Sequence, residues 1–131
     1  MSKFSRKLQK LHETAPRQET AVLVSLVRQH QPDQEVEEHL DELAFLAETL
    51  GAKTVYRFKQ KMDKPDIRTF VGKGKLEEIQ TYVAHFGVDM VIFDDDLSPS
   101  QVRNIEFNIQ EYGKEVKVLD RSLLILNIFA L

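Results

Sequence analysis

Apolar residues fall along the chain in two alternating rhythms. Ala21-Val22-Leu23-Val24-Ser25-Leu26-Val27 is short, nearly continuous and rich in β-branched residues, the pattern of a strand buried on both faces. After Pro32 and Asp33 the period changes. Val36, Leu40, Leu43, Ala44, Ala47 and Leu50 recur every three or four residues, which predicts a helix closed by Gly51. Lys53 to Phe58 reads as a second strand and Lys64-Pro65-Asp66 as part of a charged loop. Leu76, Ile79, Val83 and Phe86 mark a second helix ending at Gly87, and Val88 to Phe93 a third buried strand. Ser98-Pro99-Ser100-Gln101 then places Ser at a helix cap, Pro at the first helical position and Gln three residues after the cap. That helix is expected to run through Val102, Ile105, Ile109 and Tyr112 to Gly113, with Val116 to Leu119 as the fourth strand.

Short buried strands separated by helices require right-handed crossovers, hence a parallel sheet covered on both faces. The expected fold is α/β: a three-layer sandwich with a mainly parallel four-stranded sheet in the order 2-1-3-4, wound like flavodoxin. The apolar run Leu123 to Leu131 is either packed on the sheet or exposed as an adhesive patch. At 131 residues the chain has room for one domain with a real core, and no repeat is visible. Hydrophobic residues at 42% and charged residues at 30% give a globular composition, and no apolar run could span a bilayer. The absence of cysteine removes disulfides and thiolate chemistry, and four scattered histidines lack the spacing of a zinc site.

A net charge of -3 argues at first against a nucleic-acid binder, but the charge is distributed in blocks. Residues 1–17 carry +4, 18–52 carry -7, 53–75 carry +6 and 76–131 carry -6. The third block, with Lys53, Arg57, Lys59, Lys61, Lys64, Arg68, Lys73 and Lys75, is a local footprint for polyanions or a solvated basic loop.

Gly72-Lys73-Gly74-Lys75 precedes the second helix, where free backbone N–H groups and two lysines could hold a phosphate, or simply make a turn and cap. It is not a P-loop: Leu76 follows Lys75, and no glycine stands five residues before Gly72. Asp94-Asp95-Asp96 follows the third strand at its carboxyl end, a weak candidate for Mg²⁺ and equally a set of acids complementing a helix dipole. A phosphoreceiver would need an acidic pair after the first strand, where this chain has Val27-Arg28-Gln29. Ser98 is explained by capping, and no nucleophile-elbow sequence is present. Tyr56, Phe58 and Phe70 interleave with basic residues, as stacking surfaces for bases do and as core residues of a strand do.

Taken together, several ordered blocks resemble the N-terminal domain of the HflX family of translation-associated GTPases. They are Gln60-Lys61 with Pro65; Phe70-Val71-Gly72-Lys73-Gly74-Lys75; Asp95-Asp96-Leu97-Ser98-Pro99-Ser100-Gln101 with Arg103-Asn104 and Glu106; and Asp120-Arg121 followed by Leu124-Ile125-Leu126-Asn127-Ile128-Phe129-Ala130. The family usually has Asp where this chain has Asn127. The resemblance implies an N-terminal domain severed from a longer cytoplasmic protein, with a helical hairpin and a GTPase domain following it. GTP and Mg²⁺ would belong to that GTPase domain, so this fragment is expected to have no catalytic residues and no cofactor of its own. Residues 1–19 would be a basic lead-in, 20–122 the α/β domain and 123–131 the start of the linker.

The implied partners are the GTPase domain and the large ribosomal subunit with its ribosomal RNA; family members in the GTP-bound form can split stalled ribosomes. Lys59, Lys61, Lys64, Arg68, Gly72, Lys73, Gly74 and Lys75 are the candidate contacts to RNA or phosphate. Two other readings stand beside this one. One is a nucleotide-phosphate site built from Gly72 to Lys75 and Asp94 to Asp96; the other is an interaction module that orients the GTPase domain. Self-association through Leu123 to Phe129 is a further expectation.

Overall fold

The structure, a computed structural model, describes residues 17–110 and 114–131. Its elements run β1 (Glu19–Val27), α1 (Asp33–Thr49), β2 (Ala52–Lys61), α2 (Lys73–Phe86), β3 (Met90–Phe93), α3 (Pro99–Ile109), β4 (Lys117–Asp120) and α4 (Arg121–Phe129). The four strands form one sheet in the order β2-β1-β3-β4, every neighbouring pair parallel, as the alternation predicts. Because β1 and β3 lie inside the sheet, their side chains are buried on both faces, which is why they read as unbroken apolar runs.

Each face carries its own core. Val22, Val24, Phe58, Val91 and Phe93 meet Leu76, Ile79 and Val83 of α2 and Ile105 and Ile109 of α3. On the other face Ala21, Leu23 and Ile92 meet Val36, Leu40, Leu43 and Ala47 of α1 and Leu124 of α4. The three-layer arrangement follows from this division.

Several boundaries differ from those the sequence predicts: β1 and β2 begin one or two residues early, at Glu19 and Ala52, and the fourth strand is Lys117–Asp120 rather than Val116 to Leu119. The second strand continues beyond Phe58 to Lys61, because parallel pairing with Ser25, Leu26 and Val27 holds Lys59, Gln60 and Lys61 although they are polar. The third strand starts at Met90 rather than Val88, since Gly87 (φ +63°) and Val88 are occupied in closing α2. Helix α3 ends at Ile109, with the Gln110 amide reaching the Glu106 carbonyl. The expected closure at Tyr112 and Gly113 lies outside the described residues.

Residues 121–129, whose placement was open between packing and exposure, do both. They form α4, capped by the Asp120 carboxylate on the Leu123 amide at 2.8 Å. Leu124 is fully buried while Leu126 and Phe129 are exposed.

Candidate functional site at the carboxyl edge of the sheet

A wholly parallel sheet brings all its carboxyl ends to one edge, the place where open α/β sheets bind ligands. The segment from Met62 to Gly72, between β2 and α2, is the most structured feature there. Asp66 and Phe70 exchange both backbone hydrogen bonds, at 3.0 and 2.9 Å. The Asp66 carboxylate accepts from the amides of Arg68 at 2.8 Å and Thr69 at 3.0 Å. These two bonds hold its pKa below the ordinary value, overcoming the opposing effect of burial. Phe70 adopts φ +65°, a left-handed conformation rare for a bulky residue, and its ring is buried edge-on against Phe93. Packing of that ring holds the backbone in the strained region.

Three side chains from two other elements, Gln60 of β2 and Gln101 and Asn104 of α3, clamp the loop. Gln60 Oε1 accepts from the Gly72 amide at 2.8 Å, Gln101 Nε2 donates to the Asp66 carbonyl at 2.8 Å, and Asn104 Nδ2 donates to the Arg68 carbonyl at 3.1 Å. A Cβ on Gly72 would stand 3.1 Å from Gln60 Nε2, so the glycine gives Gln60 room for this bond. The motif residues therefore build a rigid loop whose tip presents Ile67 and Arg68 to solvent. Arg68 and Lys73 line a cleft of about 410 Å³ with Asn104, Phe107 and Asn108 of α3.

The candidate cations separate into two groups. Lys59 turns to the α1 face of the sheet and pairs with Glu37, whose carboxyl is held below its ordinary pKa chiefly by that lysine. Lys75 pairs with Glu78 at 2.9 Å. Lys61, Lys64, Arg68 and Lys73 have no carboxylate partner among the described residues. Lys61 lines a second cleft with Arg28 and His30. Gly72 is the N-cap of α2 and Gly74 lies in its first turn with open space around it.

The aspartates are engaged elsewhere. Asp94, almost buried, takes the Arg121 guanidinium at 2.6 and 3.0 Å. Arg121 also reaches Glu42 at 3.0 Å and the His39 carbonyl at 3.3 Å; burial opposes its charge, but the two carboxylates outweigh that and raise its pKa. Asp95 accepts from the Asp96 amide and faces Arg28 at 3.4 Å, while Asp96 accepts from Ser122 Oγ at 2.7 Å. Among the described residues no group of three or more carboxylates and histidines is arranged to hold a metal.

The roles of Gln60, Gln101 and Asn104 as loop clamps are not legible in the sequence. The capping pattern accounts for Gln101 Oε1 on the Ser98 amide, but nothing in a linear spacing reveals that its other amide atom reaches Asp66, thirty-five positions away.

Fold and site together define a parallel α/β module that presents a fixed, cation-bearing loop at its carboxyl edge. Residues 37–130 match the family model described as GTP-binding GTPase N-terminal, and the chain belongs to this family, the N-terminal domain of HflX GTPases. It is 46% identical over 112 residues to the GTPase HflX of Flavobacterium psychrophilum, a match covering 86% of this chain and 26% of that protein. With the GTPase HflX of Escherichia coli the identity is 37% over 112 residues, covering 86% and 24%. Among solved structures, a complex of SsGBP with GDP superposes with a TM-score of 0.63 at 27% identity, over 86% of this chain and 29% of that one. A GTP-binding protein from the archaeon Sulfolobus solfataricus in complex with GDP gives 0.61 at 28%, over 86% and 30%. The chain thus spans about a quarter of the length of the curated relatives it matches.

Proposed function

We propose that this chain is the RNA-contacting N-terminal domain of a cytoplasmic HflX-type GTPase and docks the longer protein on the large ribosomal subunit. The observation that carries this reading is the clamped loop and the helix start beside it, which present Lys64 and Arg68, and Lys73, without carboxylate partners among the described residues. A rigid loop loses little entropy on binding, and unpaired cations release counterions from phosphates without first breaking an ion pair. Backbone N–H groups at the start of α2 add donors of the kind that positions a phosphate.

GTP and Mg²⁺ do not fit the residues present. The turn before α2 lacks the P-loop pattern, and the three aspartates are held by Arg121, Arg28 and Ser122. GTP binding and hydrolysis, and through them ribosome splitting, are assigned to the GTPase domain of the longer protein. Among the described residues no helix is long and apolar enough to cross a membrane.

Co-sedimentation of the chain with purified large subunits across a salt series tests the proposal. Arg68→Ala/Lys73→Ala is expected to weaken binding and to flatten the log–log salt dependence by roughly 0.7–0.9 for every phosphate that the protein no longer neutralises. Lys59→Ala, which removes a cation already paired with Glu37, is expected to leave both nearly unchanged. Equal affinity and slope in wild type and the double variant would overturn the assignment.

A further inference from the structure

A groove of about 560 Å³ lies between β2 and α2, walled by aromatic rings rather than by the loop cations. Tyr56 and Phe58 project from the strand, Tyr82 and Phe86 from the helix. Ring centroids are 4.7 Å apart for Tyr56–Phe58, 5.0 Å for Tyr56–Tyr82 and 4.5 Å for Tyr82–Phe86. Phe58 is buried beneath the others, whereas Tyr56 is 48% exposed and Phe86 62%. The rim is acidic: Glu77 and Glu78 line the same groove. Glu78 is held by Lys75, but Glu77 has no cationic partner among the described residues.

The strand beneath the groove is also open among the described residues. Among these residues β2 is the outer strand of the sheet, spans ten residues and is paired on one side only, by β1. A register shift near Val55 rotates Tyr56 and Phe58 onto the α2 face and Arg57 and Lys59 onto the α1 face. Cations and rings on this strand are thereby sorted to opposite sides, leaving the groove lined chiefly by π-faces and the two carboxylates, with the His85 imidazole set edge-on against Phe86 at its far end.

Both of those features attract a cation, and the flat aromatic wall favours a planar one. Both repel the phosphates of a nucleic acid. We infer that this groove and the adjoining β2 edge receive an extended, arginine-bearing peptide. Its main chain adds to the open strand, and one guanidinium stacks on Tyr56 and Tyr82 within reach of Glu77. Exposed Lys53 at the start of β2 and Lys61 at its end disfavour further arginines there, which fixes the charged side chain at the middle of the strand.

The probe is a fluorescein-labelled hexapeptide of Thr with a single Arg at its third position, titrated into the 131-residue chain and followed by polarisation. Tyrosine emission gives a second readout, because the chain contains no Trp. Saturable binding is expected. Tyr56→Ala or Phe86→Ala should weaken it roughly two- to five-fold, the scale of one exposed cation–π contact. Glu77→Gln, conservative and exposed, should weaken it and reduce its salt dependence. A Lys-for-Arg peptide should bind less tightly, and an Asp-for-Arg peptide should not bind. Arg68→Ala/Lys73→Ala should leave peptide binding intact, so failure here is separable from failure of the RNA reading. Three results would overturn the inference: equal binding by the Glu77→Gln and Tyr56→Ala variants and the wild type, tighter groove binding by oligouridylate than by the Arg peptide, or self-association in sedimentation that Tyr56→Ala abolishes and Leu126→Glu/Phe129→Glu does not.

Discussion

Asp66 shows how much one carboxylate organises. Its Oδ1 serves two backbone amides and the Thr69 hydroxyl while its own amide and carbonyl pair with Phe70. Removing it in Asp66→Ala orphans these donors and should cost about 0.5–2 kcal/mol, the range for loss of a capping side chain. Amide exchange at Arg68 and Thr69 should accelerate more than in the sheet, and, on the proposed function, weaker binding to large subunits should accompany it. Its depressed pKa fixes the sign of the pH effect: the contribution is complete above the ordinary aspartate value of 3.8 and disappears as the pH falls through the lower folded value. Asp89 behaves alike for another reason. Burial raises its pKa, but the Thr20 amide, Arg17 and Lys114 together outweigh that and lower it. Acid titration of the wild type should therefore loosen both the loop and the start of β1 below about pH 3.8, and Asp66→Asn should lose the loop component alone; an acid profile identical in the two proteins would count against this account. Asp94, one of the possible Mg²⁺ ligands by sequence, shows the limit of reading at this scale. A carboxylate after a strand looks the same in sequence whether it faces water or a guanidinium twenty-seven positions away.

Among the elements, the legible parts were those set by local chemistry. Strand order followed from the alternation of apolar runs and helices, and the start of α3 from Ser98, Pro99 and Gln101, which form the full reciprocal cap at 3.1 and 2.9 Å. What escaped was set by pairing across the fold. The tail of β2 is polar and takes its strand conformation from β1, and α4 begins at Arg121 because Asp120 caps it and Leu124 fills a gap under α1. The double duty of Gln101 allows these levels to be separated experimentally. Ser98→Ala should cost about 1 kcal/mol in thermal or urea unfolding and leave the loop in place. Gln101→Ala should cost about 1–3 kcal/mol, since it strips a partner from the Ser98 amide and from the Asp66 carbonyl in a nearly buried position. Loop amides should lose exchange protection in the second variant only; equal protection in both would show that the clamp is not made by Gln101.

For the whole molecule, net charge conceals the arrangement that matters. The acids of α1 lie over the α1 face of β2 and neutralise its cations: Glu37 holds Arg57 at 3.0 Å and also Lys59, and Asp41 holds Arg57 at 2.8 Å. Among the described residues no such acidic helix covers the carboxyl-edge loop: Asp63 and Asp66 equal Lys64 and Arg68 in number, but Lys61, Lys64, Arg68 and Lys73 have no carboxylate at ion-pair distance, so this edge keeps unpaired cations in a chain whose total is -3. Hydrophobicity is distributed with a similar asymmetry. α4 buries Leu124 but leaves Leu126 64% and Phe129 84% exposed, with Leu123 and Ile125 partly exposed beside them. Clustered on one nine-residue helix, these side chains form an apolar patch of the kind that drives association. The 131-residue chain is accordingly expected to self-associate through α4 as its concentration rises. Leu126→Glu/Phe129→Glu should suppress this by placing carboxylates on the contact while sparing Leu124 and the fold. Sedimentation equilibrium measures the shift directly, and far-UV circular dichroism checks that α4 persists. Because α4 and the loop lie on different elements, the proposed RNA-contacting role predicts that the variant binds large subunits as the wild type does. A chain that stays monomeric at every concentration, or a variant that associates as strongly as wild type, would remove α4 as the contact.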